Sequence, residues 1–130
     1  MNKIKSFQDL EIWKNSKDLS VCVYKLTQKD KFNRDFGLRD QIRRAVISIP
    51  SNIAEGFSRN NNNELIQFLR IAKGSCAEAI TQLIIAKEID YLSEMEFNEL
   101  LIKLETLSDE IGKFINYLRT KRKNKEFLPK

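Results

Sequence analysis

The chain contains no histidine. That excludes imidazole general acid–base catalysis, histidine triads and histidine-ligated metal sites. Only two cysteines occur, Cys22 and Cys76, far apart and each inside an apolar helical pattern. Two thiols alone do not complete a structural zinc site; they read as small buried hydrophobes in a reducing compartment. Four glycines and two prolines in 130 residues leave little punctuation for a β-sandwich or a glycine-rich α/β enzyme. No apolar run is long enough to span a bilayer, and the opening Met1-Asn2-Lys3-Ile4-Lys5 lacks the apolar core of a secretory signal. The reading is a cytoplasmic protein with no membrane partner, no cofactor and no metal.

What is present favours helices. Hydrophobic residues make up 42% of the chain, enough for a core without disulfides, and charged residues 32%. The length suits one domain. Four helical segments are expected. The first spans about Phe7 to Lys29, with Ser6-Phe7-Gln8-Asp9 as a capping box. The second spans about Asp35 to Glu55 and stops at Gly56, read as a C-terminal glycine. The third starts in the run Asn60 to Asn63, capped by Asn61, and continues to about Asp90. The fourth opens on the capping box Ser93-Glu94-Met95-Glu96 and runs to about Arg119.

Three- and four-residue steps support each segment. The second carries Leu38, Ile42, Ala45, Val46, Ile49 and Ile53; the third Leu65, Leu69, Ala72, Cys76, Ala79, Leu83 and Ala86; the fourth Phe97, Leu100, Leu104, Leu107, Ile111, Ile115 and Leu118. The stripe passes through Pro50 in register, so a kinked but continuous helix is expected. Short connections between long helices predict an all-α, antiparallel, up-down-up-down four-helix bundle over residues 1–119, followed by a basic, flexible tail over 120–130. The first three segments hold more apolar residues than one buried stripe needs: Leu10, Trp13, Val21 and Tyr24 on the first, Ile47 and Ala54 on the second, and Ile66, Ile71, Ile84, Ile85 and Ile89 on the third. A second burial event, self-association, is the expectation.

Candidate functional residues fall into two sets. Gln41, Arg44, Ser48, Asn52 and Glu55 form a polar line on the second helix beside Pro50 and Gly56. No nucleophile is paired with a base there, so a structural or interface role is expected rather than catalysis. The small pair Gly74-Ser75 likewise suits close helix packing. The basic set comprises Arg39, Arg43, Arg59, Arg70 and Lys73, together with the tail residues Arg119, Lys121, Arg122, Lys123 and Lys125. The net charge is +5, and residues 119–130 carry all of it, with six of the 23 basic and one of the 18 acidic residues. Residues 1–118 balance at 17 against 17. A basic tail of this kind can follow a phosphate backbone.

The segment Gln41-Ile42-Arg43-Arg44-Ala45-Val46-Ile47-Ser48-Ile49-Pro50-Ser51-Asn52-Ile53-Ala54-Glu55-Gly56 resembles the hallmark of the four-helix-bundle proteins encoded in intervening sequences of bacterial 23S ribosomal RNA genes. Phe7-Gln8-Asp9-Leu10-Glu11-Ile12-Trp13 is similar to that family's opening. Phe68-Leu69 with Ile71-Ala72-Lys73-Gly74-Ser75 and Glu78 is similar to its third helix. Lys31-Phe32-Asn33 stands where many members carry Phe-Pro. The resemblance implies a small cytosolic bundle assembling as a homopentamer, related to the nucleic-acid-binding accessory protein of diversity-generating retroelements. It attaches no catalytic activity to the motif, and Arg44, Asn52, Glu55 and Gly56 match it as structural or interface positions. The expected function is thus a non-enzymatic oligomer that binds RNA or DNA mainly through phosphates. The alternative is a homo-oligomeric scaffold for a protein partner. The third candidate, a helical-bundle ribonuclease of toxin systems, needs an Arg-to-His motif, and the missing histidine counts against it.

Overall fold

The computed structural model describes residues 4–124, with side chains through Lys121. A single 3-10 turn, Phe7–Asp9, precedes α1 (Glu11–Leu26), α2 (Asp30–Arg34), α3 (Phe36–Ser58), α4 (Asn62–Glu88) and α5 (Glu94–Asn124). Among the described residues there is no strand. The fold is an all-α helical bundle.

The Ser6 capping box forms, but it closes only the 3-10 turn. Leu10 is extended and buried, and α1 starts after it. At the other end Thr27 turns its hydroxyl back on the Val23 carbonyl at 2.8 Å, and α1 stops short of Lys29. The polar stretch that follows folds into α2, whose one apolar residue, Phe32, is buried against the Tyr91 ring at 5.4 Å. Asp35 caps α3 by accepting from the Leu38 amide at 3.1 Å, and its other oxygen accepts from the Tyr91 hydroxyl at 2.9 Å.

Gly56 does not end α3, which runs on to Ser58. The glycine lies where α4 crosses: a Cβ there would stand 2.7 Å from Phe68 Cβ and 3.0 Å from Leu65 Cδ1. The bare backbone is a packing requirement, not a left-handed cap. Turning falls instead to Asn60 and Asp90, at φ 54° and 65°, residue types that tolerate the left-handed region. Asn61 and the Ser93–Glu96 box cap α4 and α5 as the sequence predicts. α5 passes Arg119 and stays helical to Asn124, while the rest of the expected tail, residues 125–130, lies outside the described residues.

α3 packs most extensively on α4, α4 on α5, and α1 on both α3 and α5, which places the four long helices around one core. The predicted stripes fill it: Val46, Ile49, Ile53, Leu65, Leu69, Leu83, Leu104, Ile111 and Leu118 are fully buried. Paired positions run in opposite order along neighbouring helices. Gln41 meets Gln82 and Ser48 meets Ser75, while Lys29 meets Glu96 and Asn15 meets Glu110.

Candidate nucleic-acid interface

The basic residues of the second set do not form one surface. Arg39 and Arg59 lie twenty residues apart at opposite ends of α3, about 30 Å at 1.5 Å per residue. Arg39 and Arg43 sit where α1 ends and α3 begins, and both are committed to the fold. The Arg39 guanidinium donates to the carbonyl and the side-chain oxygen of Asn33, each at 3.0 Å, pairs with Asp40 at 3.0 Å and covers the Phe36 ring. Arg43 donates from Nε to Thr27 Oγ1 at 2.8 Å and from Nη2 to the Tyr24 carbonyl at 3.4 Å, with its plane 4.6 Å from the Tyr24 ring. It thereby serves a carbonyl in the last turn of α1, one of those a helix end leaves without a partner. Arg59 pairs with Glu55 at 2.9 Å and covers Phe68, bracing the turn from α3 into α4.

Arg70 and Lys73 lie elsewhere, on the exposed flank of α4 toward α5. Lys73 Nζ donates to Ser108 Oγ at 3.0 Å, and its stem covers Gly112. Arg70 has no hydrogen bond or ion pair among the described residues. Because Lys73 meets Ser108 and Gly112, the later turns of α5 run beside the first turns of α4. Arg119, held by Asn116 Oδ1 at 3.2 Å, and Lys121, 5.6 Å above the Tyr117 ring, therefore belong to the same end of the molecule as Arg70. Arg122 and Lys123 occupy the last turn of α5. Lys125 lies outside the described residues. Lys113 is exposed on the same half of α5; spacing alone does not mark it, because it reads as one charge on a solvated helix back.

The polar line of α3 turns toward α4. Ser48 is its centre: the Ser75 hydroxyl lies 2.8 Å from Ser48 Oγ, and Asn52 Nδ2 donates to the Ser48 carbonyl at 2.7 Å and to its hydroxyl at 2.9 Å. Gln82 donates to Gln41 at 3.4 Å. Glu55 is taken by Arg59, and Arg44 is exposed. Neither serine has a base beside it. The Cys76 thiol, fully buried, is pushed up to about 11 by desolvation, which makes it a packing group rather than a nucleophile. Pro50 is served from across the bundle. Its ring nitrogen cannot donate to the Val46 carbonyl, and Ser20 Oγ reaches that carbonyl at 3.1 Å.

A second surface feature is apolar. Between α1 and α3 an open groove of about 630 Å³ is lined by Trp13, Val21, Tyr24, Ile47, Pro50 and Ala54, with Lys17 and Lys25 at its rim. Among the described residues no helix is long and apolar enough to cross a membrane, and no three His, Cys, Asp or Glu side chains cluster as metal ligands.

Comparison with known proteins bears on this geometry. No curated protein matches the chain. A solved structure of a protein of unknown function from the S23 ribosomal protein family of Bacteroides thetaiotaomicron is similar in fold. Its TM-score is 0.74 at 20% identity, over 80% of this chain and 97% of that one. The profile of the 23S rRNA-intervening sequence proteins matches residues 8–113, which takes in the polar line, Pro50, Gly56 and the whole of α4. The chain belongs to the 23S rRNA-intervening sequence protein family.

Proposed function

We propose that this chain is a non-enzymatic, cytoplasmic, oligomeric protein that binds nucleic acid through the phosphate backbone. The scaffold is an antiparallel up-down-up-down bundle kinked at Pro50. The opposite order of paired positions along neighbouring helices supports that topology. The Ser20 hydroxyl on the Val46 carbonyl supports the kink, since a carbonyl freed by proline is where a helix opens.

The observation that carries the binding reading is the placement of uncompensated positive charge. The excess of +5 falls entirely within residues 119–130, and the exposed Arg70 and Lys73 lie on the flank of α4 beside which α5 runs toward that segment. Arg39 and Arg43, engaged inside the fold, drop out of the contact surface. The family's tie to 23S rRNA genes is in keeping with an RNA ligand, and duplex DNA offers the same phosphates. Assembly into a homopentamer, as the resemblance implies, would present several copies of a weak patch and raise avidity without new contacts.

Fluorescence anisotropy with a ribosomal RNA hairpin and a DNA duplex across a salt series tests this. Log affinity should fall linearly with log salt, with a slope of about −0.7 to −0.9 per phosphate neutralised. Absence of binding to both at low salt rejects the reading. The second reading, a homo-oligomeric scaffold for a protein partner, draws on the α1/α3 groove, an apolar surface that nucleic acid does not use. Recovery of one protein and no nucleic acid with the purified chain favours it.

A further inference from the structure

Two features of the surface have no explanation within a single copy. The first is the α1/α3 groove, concave and apolar, with Val21 46% and Ile47 41% exposed. The second is a ridge on α4. Ile71, Gly74, Glu78 and Ile85 follow one another at steps of three, four and seven, so they share one line of the helix, and the C-cap residue Ile89 follows four residues on. Ile71, Ile85 and Ile89 are each about half exposed. Gly74 lies mid-helix, where glycine costs about 1 kcal/mol relative to alanine. Nothing in its own fold requires that loss: a Cβ at Gly74 would have no atom within 4 Å. Gly56, by contrast, is explained by Phe68. A bare backbone facing open space on an apolar ridge suits close approach by another chain.

We infer that the α4 ridge of one copy docks in the α1/α3 groove of the next, a head-to-tail contact between identical chains. This rests on the oligomeric reading above and specifies its surfaces. Charge selects the pairing. The groove rim is positive, with Lys25 in no ion pair among the described residues. The centre of the ridge carries Glu78, exposed and likewise without an ion pair among them, while Arg70, one turn before Gly74, stands at its far end. Groove against groove would oppose lysines, whereas ridge against groove sets a carboxylate between them. Trp13 and Tyr24 supply aromatic area of the kind that dominates interface energetics. Groove and ridge lie on neighbouring sides of the bundle, sharing α3 between them. A repeated head-to-tail contact between adjacent sides curves, which is the condition for a ring rather than a straight filament.

The test uses the full chain with Cys22→Ser as background, carrying either Val21→Cys or Ile85→Cys, both at exposed positions. Each variant is checked for helicity by circular dichroism and for mass by light scattering, then treated with a short bis-maleimide alone and after co-expression. The proposal expects cross-linked dimers from the co-expressed pair and none from either variant alone. In a separate arm, Glu78→Lys should weaken assembly roughly tenfold or more, and adding Lys17→Glu and Lys25→Glu should recover it. Cross-linking of Val21→Cys with itself indicates a symmetric groove contact and overturns the proposal. An oligomeric mass without cross-linking of the pair overturns the pairing while leaving self-association in place. A monomeric mass at micromolar concentration overturns both.

Discussion

Gly56 and Ser20 show how single residues hold the centre of the molecule. At Gly56 the backbone of α3 approaches α4 so closely that a methyl group would overlap Phe68 Cβ at 2.7 Å. A Cβ cannot rotate away, so Gly56→Ala should destabilise the fold. Overpacking costs about 1–3 kcal/mol and the helix-propensity gain returns about 1, leaving a net loss of up to about 2 kcal/mol in a urea titration. Ser20 has one proton within reach of two carbonyls, Ser16 at 2.9 Å and Val46 at 3.1 Å. The first is already served within α1, whereas the second is the carbonyl that Pro50 leaves free. Ser20→Ala should therefore strand a buried acceptor and cost about 1–3 kcal/mol, measured the same way. The double variant Ser20→Ala/Pro50→Ala should recover most of the loss, because alanine at position 50 donates its own amide.

At the scale of elements, caps decide where α5 begins. Glu96 Oε1 accepts from the Ser93 amide at 2.9 Å while the Ser93 hydroxyl accepts from the Glu96 amide at 3.1 Å. The Ser93 amide bond holds the Glu96 carboxyl below its ordinary value, and in the same way the Lys5 and Ser6 amides hold Asp9 below its own. A lowered folded-state value means the stabilisation is fully present above the unfolded value, about 4.3 for Glu, and is lost as pH falls through the folded one. Stability should drop on acidification below pH about 4.5, and Glu96→Gln should flatten that dependence in urea midpoints taken from about pH 6 to about pH 3. Ser93→Ala should cost about 1 kcal/mol at neutral pH. These caps were legible because Ser-x-x-Glu is a local pattern. The long helices were legible because their stripes repeat over many turns. α2 was not: Phe32 is one apolar residue in a polar stretch, and it becomes helical through burial against Tyr91, far away in sequence. How the basic residues group in space was not legible for a related reason. Spacing puts Arg39 and Arg43 on one flank, but only tertiary packing recruits Arg43 to Thr27 and Tyr24, and only packing sets α5 beside the flank of α4 that holds Arg70 and Lys73.

For the whole molecule, the decisive quantity is where its charge excess sits relative to its core. Among the described residues the last fully buried one of α5 is Leu118, and Arg119, Thr120 and Lys121 are exposed although the helix continues to Asn124. Deleting residues 120–130 thus removes five basic residues and one acidic residue without touching a buried side chain among the described residues, and takes the net charge from +5 to +1. Helicity and the thermal midpoint should change little, since Thr120 and Lys121, the removed residues with described side chains, are both exposed. Nucleic-acid affinity should fall steeply, and the salt slope should shrink by about 0.7–0.9 for each phosphate that is no longer neutralised. Arg70→Gln/Lys73→Gln in the full chain tests the complementary half of the surface. It leaves the tail in place and should weaken binding less than the deletion does, because these two residues add to a surface that the tail dominates. If the deletion keeps its affinity while the double variant does not, the exposed flank of α4 is the binding surface and the terminal charges are accessory. If neither changes binding, the positive end of the bundle is not where nucleic acid lies.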